Sequence, residues 1–164
     1  MSRHLICALV LVALGGAAQA QQYHEHLPDQ GTKEVGLTGS FNFKPVDSIN
    51  LGARLGYFLN RSLQVGVETD YARIENGSTQ RSWAVGGFGN WHFPSASPVL
   101  PYVGVFAGYS DSSGADSSTS LGAQGGVKYF VNRNVAAFAE LRWRSLDDSA
   151  DQTGIFVGLS VFLK

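Results

Sequence analysis

Cysteine occurs once, as Cys7, inside the apolar run that opens the chain. If that run is removed, nothing remains for disulfide or thiol chemistry. Charge of one sign is missing too. Without Arg3 the 12 basic residues become 11, against 13 acidic ones, a net of −2. Such a balance is no footprint for nucleic acid. After the first twenty residues no apolar run reaches the length a membrane-spanning helix needs, about 18 residues. Helix in general is disfavoured, because all but Gly15 and Gly16 of the 20 glycines lie beyond residue 20 and glycine is costly inside helices. Proline is sparse and acts as punctuation. Pro45, Pro94, Pro98 and Pro101 fall in expected turns or at a strand start, where a missing N–H costs least.

The N-terminus reads as a processing segment. Arg3 and His4 precede the apolar stretch Leu5 to Ala18, and Ala18-Gln19-Ala20 fits a small-x-small cleavage site. Residues 1–20 are therefore expected to be a cleaved signal peptide, 21–32 a polar N-terminal segment and 33–164 the folded domain. No cysteine follows the small residues, which argues against a lipid anchor.

What is present is alternation. Ile49, Leu51, Ala53, Leu55 and Tyr57 are apolar, while Asn50, Gly52, Arg54 and Gly56 are small or polar. A period of two marks a strand whose faces see different surroundings. The odd-numbered apolar stripe returns in eight segments, near 33–43, 48–58, 63–73, 81–93, 102–110, 121–131, 135–145 and 153–163. Most have about 11 residues, the length at which a tilted strand crosses a bilayer. The connections alternate between short and long. Leu59–Ser62 and Val131–Asn134 are tight turns of nearly the same sequence, and Pro94 to Pro101 is a proline-bounded turn. Lys44–Asp47, Ile74–Gln80, Ser110–Ser120 and Leu146–Gln152 read as the opposite, outer loops. The pattern predicts an all-β fold: an eight-stranded antiparallel up-and-down transmembrane β-barrel.

On the odd face, aromatics cluster at strand ends. Tyr71, Trp83, Tyr109 and Trp143 neighbour the outer loops, and Tyr57, Trp91, Phe93 and Tyr129 neighbour the short turns. Two such belts around an aliphatic band suit the two interfaces of a bilayer. On the even face, Arg54, Glu68, Lys128, Glu140 and Arg142 are candidates for a buried charge network, since the narrow interior of an eight-stranded barrel tolerates charge only when it is paired. Phe58, Phe88, Phe106, Phe130, Phe138, Phe156 and Phe162 share that face, unless a bulge turns some outward, and argue against an open channel.

With these residues in view the chain resembles the small outer-membrane β-barrel family, which includes the OmpA transmembrane domain, OmpX-like and opacity-like proteins. The resemblance is carried by Gly56-Tyr57-Phe58-Leu59-Asn60-Arg61-Ser62-Leu63, by Pro101 to Tyr109, and by Gly126 to Val135. It implies the cell outer membrane of a Gram-negative bacterium, insertion by the assembly machinery with periplasmic chaperones, and contact with membrane lipid and lipopolysaccharide. It implies a non-catalytic structural or surface-interaction role, in adhesion, host-factor binding or envelope integrity, through the outer loops. A narrow pore for small solutes or ions is the alternative, and an envelope-lipid enzyme is a third reading. The family pattern usually ends in a lipid-facing aromatic, whereas here Phe162 is on the even face and Leu163-Lys164 follow, which implies either weaker recognition by the assembly machinery or a register shift near the end. A second departure from the family pattern is that no peptidoglycan-binding domain is expected after the eighth segment.

Catalysis finds little support. Beyond the signal only His24, His26 and His92 are present, there is no His-x-Ser pair, and His92 lies at the periplasmic end. Tyr23-His24-Glu25-His26 and Asp147–Asp151 resemble solvated segments more than metal sites. No cofactor, metal or nucleic-acid partner is expected, and a complete lipid-facing belt points to a monomer.

Overall fold

The structure, a computed structural model, describes residues 28–42, 48–76, 78–93, 97–112, 115–146 and 149–164. The expected signal peptide, the His24–His26 segment and the tips Lys44–Asp47 and Asp147–Asp148 lie outside the described residues. Eight strands form: β1 (Lys33–Asn42), β2 (Ser48–Phe58), β3 (Leu63–Asn76), β4 (Ser78–His92), β5 (Val99–Ser112), β6 (Ala115–Asn132), β7 (Val135–Leu146) and β8 (Ser149–Leu163). Each pairs antiparallel with its neighbour in sequence, and β1 closes on β8, so the sheet is an up-and-down barrel with no free edge.

Closure leaves one inside and one outside, and the period of two sorts the residues between them. Leu37, Leu51, Val67, Val105, Leu121, Ile155 and Leu159 are exposed on the outside, while Arg54, Glu34, Lys128, Glu140 and Arg142 are buried within. A continuous apolar outer surface is what a lipid-embedded barrel presents.

The strands run farther outward than the alternation indicates. Ile74–Gln80, Ser110–Ser120 and Leu146–Gln152 were expected as loops, yet β3 and β4 pair as far as Asn76↔Ser78, β5 and β6 as far as Ser112↔Ala115, and β7 and β8 as far as Leu146↔Ser149. Beyond the aromatic belt both faces meet water, so the apolar stripe stops while the backbone ladder continues. Two of these extensions carry register shifts, at Ser110/Ser112 and at Arg144/Leu146. A third shift, at Phe130/Asn132, sits beside a short turn.

The two related short turns share one mechanism. Asn60 Oδ1 accepts from the N–H groups of Ser62 and Leu63, both at 2.8 Å. Asn132 Oδ1 accepts from Asn134 and Val135, both at 2.9 Å. An asparagine side chain that holds its own backbone two and three residues ahead makes a tight turn without help from the core. At the same end residues 28–32 fold under the barrel: Gly31 N–H donates to Phe58 carbonyl at 2.9 Å, and Gly31 takes a φ of +87°. Asp29 reaches Arg61 at 2.8 Å and Lys164 at 3.6 Å, tying the N-terminal segment to the first short turn and to the chain's last residue. No register shift occurs at the end of β8; Lys33 pairs with Leu163 and Phe162 points inward.

Each hairpin that points outward also contains a glycine facing a large luminal side chain on its partner strand. The register pairs are Gly36↔Arg54, Gly66↔Phe88, Gly122↔Phe106, Gly126↔Tyr102 and Gly158↔Phe138. A Cβ on Gly66, Gly122 or Gly158 would come 2.4 to 2.6 Å from the terminal ring carbon of its partner Phe. The large side chains therefore lie flat across the wall, over positions that have no side chain.

Candidate functional site

The lumen is the only place where the barrel gathers chemistry-bearing groups among the described residues, and it is built in tiers. At the periplasmic end Phe58, Leu100, Phe130, Ala136 and Phe162 form a buried apolar cluster. Phe130 and Phe162 pack tilted against each other, with centroids 5.0 Å apart. His92 is fully buried beside it, with its ring 5.0 Å from that of Phe58 and 5.3 Å from that of Tyr102. Among the described residues neither ring nitrogen of His92 has a hydrogen-bond partner, and none of their carboxylates orients the imidazole as hydrolytic catalysis requires.

Above the seal Lys128 Nζ meets Glu34 Oε2 at 2.5 Å. Gln64 Nε2 and Ser160 Oγ also donate to Glu34, each at 2.5 Å. The ammonium of Lys128 lies 5.2 to 5.8 Å from the rings of Phe58, Tyr102 and Phe162. Glu34 was not among the residues expected in this network, although its even number places it in the lumen. Gln124 donates to Asn90 at 2.7 Å and Asn90 to Gln64 at 3.4 Å, which carries the network across the barrel.

The next tier holds four of the five expected charges. Arg54 grips Glu140 through both terminal nitrogens, at 3.2 and 3.1 Å, and reaches Glu68 at 3.3 Å. Arg142 forks onto Glu68 at 2.9 and 2.8 Å and bonds Glu140 through Nε. Tyr102 donates to Glu140 at 2.6 Å and so links this tier to the rings around Lys128. Bidentate pairs of this kind are the strong form of a buried ion pair, and the network answers the desolvation that isolated charges would suffer. Lys128, the fifth expected charge, stands apart from the quartet with Glu34 as its partner. Of the seven luminal phenylalanines Phe156 is half-buried and the other six are buried; no bulge turns one outward. Leu100 joins the seal because β5 begins two residues before Pro101 rather than after it.

Beyond Arg142 the lining changes. Asn50, Asp70, Ala72, Ser82, Ser110, Ser118, Ser120 and Arg144 face inward but are only half-buried. On the outside, Tyr71, Trp83, Tyr109 and Trp143 are exposed near the outer hairpins, and Tyr57, Trp91, Phe93 and Tyr129 near the short turns. The Trp83 and Tyr109 rings lie 6.1 Å apart. Among the described residues no group of three or more His, Cys, Asp or Glu could hold a metal ion.

A family model for the outer membrane protein beta-barrel domain matches residues 7–161. No curated protein matches the chain by sequence. Among solved structures, the N-terminal β-barrel domain of OprF from Pseudomonas aeruginosa aligns with a TM-score of 0.61 at 17% identity, covering 83% of this chain and 100% of that one. Neisserial surface protein A aligns with a TM-score of 0.57 at 22% identity, over 79% of this chain and 94% of that one. A de novo designed transmembrane β-barrel also reaches 0.57, at 20% identity, over 83% and 98%. The likeness is one of fold, since a designed barrel scores as high as a natural surface protein.

Proposed function

Because this chain belongs to the family of outer membrane protein beta-barrel domains, we propose that it serves the cell outer membrane as a closed, non-conducting barrel that acts through its outer surface. The role is structural or one of surface interaction: adhesion, binding of a host factor, or support of the envelope. The observation that carries this reading is the seal. Phe58, Leu100, Phe130 and Ala136 are at most 1% exposed, and the charges above them are held across the lumen by direct contacts. A path for water or ions would have to break both tiers, and breaking a buried ion pair costs about 3–5 kcal/mol.

The surface left to act is the outer rim, formed by the β3–β4, β5–β6 and β7–β8 hairpins rather than by long loops. Membrane lipid and lipopolysaccharide surround the aromatic belts in this reading, the assembly machinery and its chaperones deliver the chain, and the barrel works as a monomer. We also take it to be non-catalytic, since buried His92 has neither a hydroxyl nor a carboxylate at its ring. An unchanged lipid A profile on substitution of His92 agrees with that, and a changed one refutes it.

The half-open outer lumen is the one observation that favours the alternative, a narrow pore. Recording in planar bilayers separates the two. The sealed barrel gives no steady conductance, and reproducible unitary currents overturn the reading.

A further inference from the structure

Among the described residues eight charged side chains face the lumen. Glu34 is spent on Lys128, and Arg54, Glu68, Glu140 and Arg142 satisfy one another. Two remain, farther out: Asp70 and Arg144. Asp70 stands 4.0 Å from Arg142. Arg144 lies one luminal position beyond Arg142 on β7, and among the described residues its guanidinium has no hydrogen bond or ion pair. Its neighbour is the face of the Phe106 ring, 5.5 Å from the guanidinium carbon to the centroid. Stacking on an aromatic face orients a guanidinium and leaves its edge donors free.

That edge lies in the outer, half-buried part of the lumen. Gly122, the register partner of Arg144, lies under the Phe106 ring, and the next luminal position on β6 is Ser120. One luminal position farther out on the same β5–β6 wall, Ser110 and Ser118 place their hydroxyls 3.0 Å apart, and Ser120 Oγ reaches the Gly108 carbonyl at 3.5 Å. All three serines are half-buried, so hydroxyls rather than long side chains form this wall. The opposite end is sealed, so a solute reaches this wall from the outer side alone.

We propose that the outer half of the lumen is a binding cup for a small oxyanion-bearing solute, a carboxylate or a phosphate, held by Arg144 and the serine wall. A planar fork of N–H donors with flanking hydroxyls matches the oxygens of either group. Asp70, on β3 across the barrel, already faces the Arg144 charge, so it repels excess negative charge and favours a solute that carries one anionic group. The proposal goes beyond the function above: binding at the cup requires no passage through the seal.

The test is a titration of the full barrel, in non-ionic detergent free of phosphate, with inorganic phosphate and separately with acetate. It is followed by NMR at the arginine side chains and the Gly122 amide, with sodium chloride at matched ionic strength as control. Saturable shifts at Arg144 and Gly122, absent with chloride, are expected, and the stronger of the two anions names the group. Arg144→Gln should weaken binding about ten- to hundredfold, the worth of a charged hydrogen bond, while Arg61→Gln at the periplasmic end leaves it unchanged. Resistance of the unheated variant to detergent on gels shows that it is folded. Should Arg144→Gln fail that check, Ser120→Val carries the same test by filling the cup. Shifts that never saturate, that chloride reproduces, or that survive the folded cup variant overturn the proposal. Conductance through the barrel would refute the sealed-barrel reading and leave this one standing.

Discussion

The contact between Glu34 and Lys128 is the most exacting test of the dry lumen. Both side chains have no exposed surface, and the Lys128 ammonium meets Glu34 at 2.5 Å and the Gln64 carbonyl at 3.4 Å. Glu34→Gln removes the charge and leaves Lys128 without an anion. Loss of one partner from a buried pair costs about 3–5 kcal/mol. The lower end applies here, about 3 kcal/mol, because the rings of Phe58, Tyr102 and Phe162 still surround the ammonium and each such contact is worth about 0.5–2 kcal/mol. Lys128→Met should cost a similar amount, with Glu34 then held only by Gln64 and Ser160. The double variant should be no worse than either single one, a coupling of about 3 kcal/mol. Equilibrium urea unfolding in lipid vesicles, followed by the fluorescence of Trp83, Trp91 and Trp143, measures all three. Additive losses, each below about 1 kcal/mol, would mean that water screens the pair, and the sealed lumen would have to be abandoned.

Gly122→Val should destabilise by about 1–3 kcal/mol, since its Cβ would come 2.4 Å from Phe106 and 2.3 Å from the Trp143 carbonyl. Gly89→Ala should be neutral or stabilising by up to about 1 kcal/mol, because nothing lies within 4 Å and its φ is not positive; the same urea titration reads both. Phe58→Ala with Phe162→Ala should cost several kcal/mol, given about 3–5 kcal/mol for a single buried Phe→Ala, and should introduce conductance in planar bilayers where the parent shows none. Asp29→Ala, which releases the exposed Arg61 and Lys164, should change stability by less than about 1 kcal/mol and leave the heat-dependent gel shift intact.

Alternation revealed more of this barrel than any motif, because lipid outside and packed polar groups inside impose opposite demands on successive residues. Where the demand lapses the signal lapses: Ser110 to Ser120 carries no apolar stripe, yet most of it is strand. Face is legible residue by residue, but partnership is not. Lys128 and Glu34 lie 94 residues apart in sequence, on β6 and β1, and only the stagger of a closed barrel brings them level. Arg54, Glu68, Glu140 and Arg142 could be assigned to one interior without any indication that they form a quartet and Lys128 does not. Leu100 escaped notice for a local reason: Pro101 reads as the end of a turn before its strand and is that strand's third residue.

The alternation of faces guards against a one-residue slip between neighbouring strands, which would turn every side chain over. It is blind to a slip of two, which keeps each residue on its proper side. The glycine positions opposite large luminal groups supply the missing check. Moved by two, Phe88 would face Gln64 or Glu68 instead of Gly66; Phe106 would face Ser120 or Gln124 instead of Gly122; Phe138 would face Phe156 or Ser160 instead of Gly158; and Arg54 would face Glu34 or Thr38 instead of Gly36. Every outward hairpin thus holds its own test of alignment, between strands adjacent in sequence and complete before the barrel closes. Alignment errors can be rejected one hairpin at a time, while loop-closure entropy is still small, and the β1–β8 seam is left to join parts that are already in step.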